Sequence, residues 1–303
     1  MNTLISIVGP TGVGKTSLSL SLVQRFGTVI VSTDSRQMYR LMDIGTAKPN
    51  EKERSVAPHY FINTLNPDEN YNAAKFEEEA EALLSDLFLK NSVVISVGGS
   101  TLYIDALWNG FDDMPSIPAE IRDTLNHQFQ TNGLTSLVEE LEKVDPVTFA
   151  QIDQANPARV IRALEVFRAT GTPISTFRKG KKKKIHPYRL IKIALYDERE
   201  VLYERINQRV QEMVELGLES EVRDLLEQGY SRDLPSMQSI GYREMADYIS
   251  GEISYDEAIR LIQRNSRRYA KRQLTWFRRY DDVNWFQAGE NEKIIQWLEK
   301  QMG

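Results

Sequence analysis

The hydrophobic pattern opens with an apolar run rich in β-branched residues, Met1 to Val8, that stops at Gly9; from Thr16 to Phe26 the apolar residues Leu18, Leu20, Leu22 and Val23 are interspersed with polar ones. Strand, tight glycine turn and helix are the elements this pattern predicts. Two more short apolar runs, Thr28 to Thr33 and Ser92 to Val97, are separated by the acidic helical stretch Ala73 to Lys90, and a fourth follows at Arg189 to Tyr196. Short continuous runs alternating with helices indicate strands of a parallel sheet covered on both faces. Right-handed crossovers then make a doubly wound α/β core the natural architecture. Between 113 and 186 the pattern changes: prolines at 115, 118, 146, 157 and 173 punctuate short helical segments, and no strand is evident. This stretch is expected to be a helical insertion domain, 113–186, in a core built from 1–112 and 187–303. Glu198 to Gln228 and Tyr255 to Arg279 are expected as long helices with charged faces, and Val283 to Phe286 as a short closing strand. There is no internal repeat.

Composition narrows the class. The chain has 303 residues, 41% hydrophobic and 27% charged, values of ordinary globular proteins that exclude fibrous and extensively disordered chains. No run approaches the roughly 18 apolar residues of a membrane span. The first strand lacks the basic segment of a signal peptide, so a cytoplasmic protein with no membrane association is expected. Zero cysteines remove disulfide scaffolds, thiol nucleophiles and cysteine-ligated zinc, in agreement with a reducing compartment. His59, His127 and His186 lie far apart without metal-site spacing and are expected to be surface or packing residues.

The net charge of -5 would argue against nucleic acid, but its distribution does not. From Arg260 to Tyr280 there are eight basic residues and no acidic one, which leaves -13 on the remainder. A phosphate backbone responds to the local patch and not to the mean. A second basic tract, Arg178 to Lys184, is expected to be a solvated loop.

The strongest chemical signal is Gly9-Pro10-Thr11-Gly12-Val13-Gly14-Lys15-Thr16, which fits G-x-x-x-x-G-K-[ST] between a predicted strand and a predicted helix. Its glycines let several backbone N–H groups point at one phosphate, while the helix terminus adds partial positive charge. Lys15 would neutralise the terminal phosphate and the Thr16 hydroxyl would hold Mg²⁺. The motif alone equally fits ATP, so a small-molecule kinase is an alternative. Only the Thr28 strand is read as ending in an acid, in Ser32-Thr33-Asp34-Ser35, which puts Asp34 at the carboxyl edge where ligands of open α/β sheets collect. There Asp34 could assist a metal, act as a general base or cap a helix.

The segment Ser32 to Pro49 (Ser-Thr-Asp-Ser-Arg-Gln-Met-Tyr-Arg-Leu-Met-Asp-Ile-Gly-Thr-Ala-Lys-Pro) closely resembles the tRNA dimethylallyltransferases, or tRNA isopentenyltransferases. Further matches follow in the family order at Val97 to Tyr103, Asn156 to Glu165, Ser239 to Glu244 and Asn265 to Arg278, across nearly the whole chain. Ser100 departs from the usual threonine but keeps the hydroxyl, and the absence of a zinc-finger tail resembles the bacterial type. The resemblance implies a P-loop NTPase-like core. It also implies transfer of a dimethylallyl group from dimethylallyl diphosphate to N6 of adenosine 37 in the tRNA anticodon stem-loop, with Mg²⁺ as cofactor and the enzyme acting as a monomer. Asp34 would be the base and Ser100 the hydroxyl at the substrate, with Lys15 on the diphosphate. The flipped adenosine would lie near Ser35, Arg36 and Gln37, and Arg122, Arg159, Arg162, Gln238, Arg243, Lys271, Arg272 and Arg278 would contact tRNA. Arg159 and Arg162, three residues apart, can share one helix face and one anionic ligand. In Asn265 to Arg279 the aromatics Tyr269, Trp276 and Phe277 are expected to pack inward, and Arg267, Arg268, Lys271 and Arg272 to form one cationic face. A free adenine nucleotide as acceptor, as in the adenylate isopentenyltransferases, keeps the same chemistry as a third reading.

Overall fold

The computed structural model describes residues 1–112, 114–178 and 184–302, so most of the basic tract 178–184 and residue 113, the expected start of the insertion, lie outside the described residues. The chain divides into two compact units, Met1–Trp108 with His186–Gly303, and Asn109–Ile185.

The first unit contains six parallel strands: β1 (Thr3–Val8), β2 (Ile30–Ser32), β3 (His59–Tyr60), β4 (Val93–Val97), β5 (Arg189–Tyr196) and β6 (Asn284–Gln287), in the order β3-β2-β4-β1-β5-β6. Every residue of β1 is buried, as a central parallel strand requires. Successive side chains alternate between two cores: Leu4 and Val8 join one, Ile5 and Ile7 the other. The chain-order helices up to the second unit are α1 (Lys15–Phe26), α2 (Glu51–Val56), α3 (Ala73–Leu87) and α4 (Thr101–Asn109). Phe76, Ala80 and Leu84 of α3 and Ile104 and Leu107 of α4 fill the first core, whereas Leu18 and Leu22 of α1 fill the second. Each of the phenylalanine, leucine and isoleucine side chains among them stabilises the fold by about 1.5–3 kcal/mol when fully buried. Ser6, on the first face, is the polar exception; its Oγ accepts a hydrogen bond from Trp108 Nε1 at 2.9 Å.

The second unit is helical throughout its described residues: α5 (Ala119–Asn132), α6 (Thr135–Val144), α7 (Pro146–Gln151), α8 (Pro157–Thr170) and α9 (Ile174–Phe177). Leu125, Leu137, Leu141, Val160 and Leu164 form its core. Its prolines mark helix starts. Pro146 and Pro157 follow the caps Asp145 and Asn156, where a missing N–H costs nothing.

The chain returns to the first unit through β5 and then α10 (Arg199–Glu215), α11 (Leu218–Glu227), α12 (Tyr242–Ile249), α13 (Tyr255–Phe277) and α14 (Asn291–Met302). The long helix expected over Glu198 to Gln228 is therefore two helices. Gly217 separates them at φ 98°, a left-handed conformation that the helical pattern around it does not reveal. The two-residue strand β3 escapes a reading by periodicity because it is too short to show a period. No helix among the described residues is long and apolar enough to cross a membrane.

Asp145 is one of two buried carboxylates of the second unit, with Glu165, that each accept three hydrogen bonds among the described residues. It is 2% exposed and accepts from the Thr148 N–H (2.9 Å), the Thr148 hydroxyl (2.8 Å) and the Ser175 N–H (2.9 Å). Burial pushes its pKa up, but these donors outweigh burial and hold it below the ordinary value. Asp145→Ala should thus destabilise the protein by about 1–3 kcal/mol by stranding buried donors, read as a lower urea midpoint. The wild-type contribution is present above the unfolded-chain Asp range and is lost as pH falls through the depressed folded value. An unchanged midpoint would refute this role.

Candidate active site

The loop between β1 and α1 bends because it can: Gly12 and Gly14 adopt φ of 78° and 102°, where a side chain would be strained. The turn that closes it brings Lys15 to the first position of α1. Lys15 Nζ donates to Gly9 O at 3.0 Å and Pro10 O at 2.8 Å, so its charge sits under the loop. A cavity of about 390 Å³ opens there, lined by this loop, Asp34, Gln37, Gly98 and Gly99, and by Arg209, Tyr269 and Gln273 from α10 and α13.

Two cations share this space. Burial lowers the Lys15 pKa to about 7, the nearby Arg209 guanidinium adds to the shift, and Asp34 opposes it. Burial likewise lowers the Arg209 pKa, again opposed by Asp34. Arg209 Nη1 donates to Thr11 Oγ1 at 3.0 Å. Two cations that line one cavity at the start of a helix can together receive a multiply charged anion.

Asp34 follows β2 at the carboxyl edge. One of its oxygens accepts the Arg36 N–H at 2.9 Å, so it shapes its own turn, and its other oxygen has no protein partner among the described residues. The neighbouring turn after β4 is tied to it: Ser100 Oγ accepts the Ser35 N–H at 2.8 Å and donates to Ser35 Oγ at 3.1 Å. Gly98 permits the close approach, since an added Cβ would lie 2.4 Å from Thr33 Oγ1.

The reading that only the Thr28 strand ends in an acid needs correction. Asp197 follows β5 directly and pairs with Arg205, a cavity residue, at 2.7 Å; the apolar run hid it because the acid lies one residue beyond. Tyr269 is also corrected. It lines the cavity instead of the core, with its hydroxyl 3.3 Å from Gly99 O and its pKa pushed up to about 12 by burial and then by Asp34. Phe277 does pack in the core and Trp276 is half-buried against it.

The remaining expected residues separate into groups. Gln37 and Thr16 line the cavity. Arg36 Nη1 donates to Pro235 O, Gln238 Nε2 to Arg232 O, and Arg243 to Glu244 Oε1 at 2.7 Å. On α13, Arg268, Lys271 and Arg272 are exposed, as is Arg278 just beyond it, but Arg267 turns to Asn207 Oδ1 and leaves the expected cationic face. Arg122, Arg159 and Arg162 belong to the second unit. The sequence spacing made Arg159 and Arg162 a shared anion site, yet Arg162 and Arg122 both bind the buried carboxylate of Glu165, and only Arg159 is left exposed without such a partner. Arg209 and Gln273 are the residues the sequence reading missed. Gln273 lay inside a quoted motif, whereas Arg209 reaches a loop 198 residues away and carries no local signal.

The model of the IPP transferase family matches residues 37–280. The tRNA dimethylallyltransferase of Cytophaga hutchinsonii is 45% identical over 299 residues, 99% of this chain and 97% of its own length. That of Parabacteroides distasonis, tRNA dimethylallyltransferase 2, is 45% identical over 303 residues, all of both chains. Among solved structures, the full-length tRNA isopentenylpyrophosphate transferase of Bacillus halodurans superposes with a TM-score of 0.73 at 39% identity, covering 100% of this chain and 96% of its own. A eukaryotic dimethylallyltransferase described as acting on tRNA gives 0.81 at 26% identity, covering 98% and 76%.

The depressed Lys15 pKa has a measurable consequence. At pH 8 Lys15 is mainly neutral in the free protein, and an adjacent anion raises its pKa, so binding an organic diphosphate should draw a proton from the buffer. Calorimetry in buffers of different ionisation enthalpy should detect this uptake in the wild type and less of it in Lys15→Arg, whose side chain stays charged. Equal uptake in both would mean that Lys15 is already protonated.

Proposed function

The chain belongs to the IPP transferase family, and on that premise we propose that it transfers a dimethylallyl group from dimethylallyl diphosphate to N6 of adenosine 37 in tRNA, releasing diphosphate. The observation that carries this reading is the gathering of half-buried Lys15 and Arg209 with Asp34 around one cavity. It supplies an anion receptor and a carboxylate on opposite roles of one displacement.

Carbon, not phosphorus, is attacked in this reaction, so the loop Gly9 to Thr16 has to hold a leaving group while positive charge grows at the allylic C1. Lys15, Arg209 and the loop N–H groups favour that charge separation because they gain as the diphosphate becomes more negative. The donor set fits a metal carried in with the diphosphate: the Thr16 side chain lines the cavity, and no cluster of three or more His, Cys, Asp or Glu exists among the described residues. Thr16 would hold Mg²⁺, which when bound supplies further neutralisation of the leaving group.

The acceptor nitrogen is poorly nucleophilic because its lone pair is delocalised into the purine. Asp34, with one oxygen committed to its turn and the other free, takes the N6 proton as the bond forms. Ser100 supports this by fixing the Ser35 backbone beside Asp34. The adenosine has to leave its stack to enter the cavity, with Ser35, Arg36 and Gln37 at the mouth. Lys271, Arg272 and Arg278 meet the tRNA backbone as exposed cations, and Gln238 and Arg243 border it. In the second unit Arg159 is the direct phosphate contact, and Glu165 presents Arg122 and Arg162. The enzyme works as a monomer, in the cytoplasm where its tRNA is.

Incubation with dimethylallyl diphosphate, Mg²⁺ and unmodified tRNA, followed by digestion and mass analysis, should yield prenylated adenosine. Its absence would reject the reading. Asp34→Asn, nearly isosteric, should keep tRNA affinity and lower the transfer rate by a factor on the order of 10² to 10⁴; a normal rate with lost tRNA binding would make Asp34 a recognition residue.

A second test addresses the cationic face. Each phosphate contact contributes about 0.7 to 0.9 to the slope of log affinity against log salt. Replacing Lys271 and Arg272 with alanine should weaken tRNA binding, flatten that slope and spare dimethylallyl diphosphate binding. A wild-type affinity independent of salt would remove α13 from the interface.

A further inference from the structure

One buried amide on α13 spans the two halves of the cavity. Gln273 is 2% exposed; its Oε1 accepts the Thr11 N–H at 2.9 Å and its Nε2 donates to Gly99 O at 2.7 Å. Thr11 belongs to the phosphate loop after β1, and Gly99 to the turn after β4 that leads into Ser100. The fit is close, since a Cβ on Gly99 would lie 2.3 Å from Nε2. One helical turn earlier, the Tyr269 hydroxyl reaches the same carbonyl. The position demands one acceptor and one donor at fixed directions, which an amide provides; a carboxylate offers acceptors alone and a thioether offers no donor.

We propose that Gln273 is a positioning residue of the transfer reaction: it sets the spacing between the loop that holds the diphosphate and the Ser35–Ser100 tie beside Asp34, so that C1 meets N6 and not water. This rests on the function proposed above. In productive transfer the N6–C1 bond forms as the C1–O bond to diphosphate breaks, and the N6 proton passes to Asp34. If the two halves drift apart, water takes the place of N6. Its oxygen bonds to C1, its proton goes to solvent, and the products are dimethylallyl alcohol and the same diphosphate. A displacement of about 1 Å is enough to cost on the order of 10²-fold in rate, and it leaves a signature in the products that a general loss of folded protein does not.

The experiment uses the full chain with tRNA and dimethylallyl diphosphate, and counts diphosphate released and prenylated adenosine formed separately. The wild type should give a ratio of one. Gln273→Met, similar in volume but without the donor, should lower kcat by about 10- to 100-fold, leave KM for both substrates within about threefold, and raise the ratio of diphosphate to prenylated adenosine clearly above one. Gln273→Glu keeps an acceptor for Thr11 but sets a second oxygen against Gly99 O; it should behave in the same way, and it carries the test if the methionine variant does not fold. A folded variant with wild-type kcat, or a loss of rate with the ratio still at one, would overturn the proposal. A wild type that forms no prenylated adenosine would instead sink the transferase reading.

Discussion

Two half-buried basic side chains that line one cavity are the constraint on which this site turns. Lys15 and Arg209 arrive from different elements, α1 and α10; desolvation disfavours both charges, and the Arg209 guanidinium disfavours that of Lys15 further. The fold tolerates them because Lys15 leans on two loop carbonyls and Arg209 on Thr11 Oγ1. Neither contact is a counter-ion. Asp34 favours the charge on both groups, and Glu212 and Glu53 add to its effect on Arg209, but none of the three makes a direct ion pair with either cation. In the reaction proposed above, a bound diphosphate would compensate the desolvation of both cations, which concentrates binding energy where the leaving group gathers charge.

That concentration depends on the sheet. In a parallel sheet every strand ends on the same edge, and ligands collect beside those ends. Here β1 delivers the phosphate loop, β2 delivers Asp34 and β4 delivers the Gly98–Ser100 turn, with β4 lying between β2 and β1. Helices α10 and α13 complete the cavity from later in the chain with Arg209, Tyr269 and Gln273. The same helix α13 exposes Arg268, Lys271 and Arg272, so the cations proposed above to meet an RNA backbone and the buried Gln273 contact to the loop after β1 belong to one helix.

Legibility in the sequence followed the range of the interaction. The strand, glycine turn and helix of the phosphate loop are local, and each was readable from adjacent residues. So was the parallel sheet, because fully buried strands write continuous apolar runs. The break at Gly217 was not, since its cause is one backbone conformation inside a periodic stretch. The contacts of Arg209 with Thr11 and of Arg122 with Glu165 were out of reach for another reason: a charged residue on a helix looks solvated until its partner, far along the chain, is known. The short-range pair of Arg162 with Glu165 was passed over because Glu165 looked like a solvated acid when it is buried. Tyr269 misled because an aromatic at helical spacing packs into a core and lines a cavity with the same periodicity.

The loop that carries Asp34 illustrates how an irregular segment can be as fixed as a helix. Leu41 and Ala47 in this loop, and Phe61 and Asn63 in the segment after β3 that Lys48 ties to it, have positive φ, an uncommon conformation for residues other than glycine, so the two segments need external support. Glu221 of α11 provides it by accepting the backbone N–H groups of Asp43, Ile44 and Gly45 at 2.8–3.1 Å. Lys48 provides it from within, donating to Tyr39 O at 2.7 Å and to Asp43 Oδ1 and Asn63 Oδ1 at 2.6 Å. Burial lowers the Lys48 pKa, and the Asp43 carboxylate offsets this in part. Strain at four residues is thus held by one carboxylate and one ammonium, each saturated with partners. The Asp34 carboxylate accepts a single hydrogen bond, from the Arg36 N–H, so at this end of the braced loop one oxygen of a residue that lines the cavity has no protein partner among the described residues.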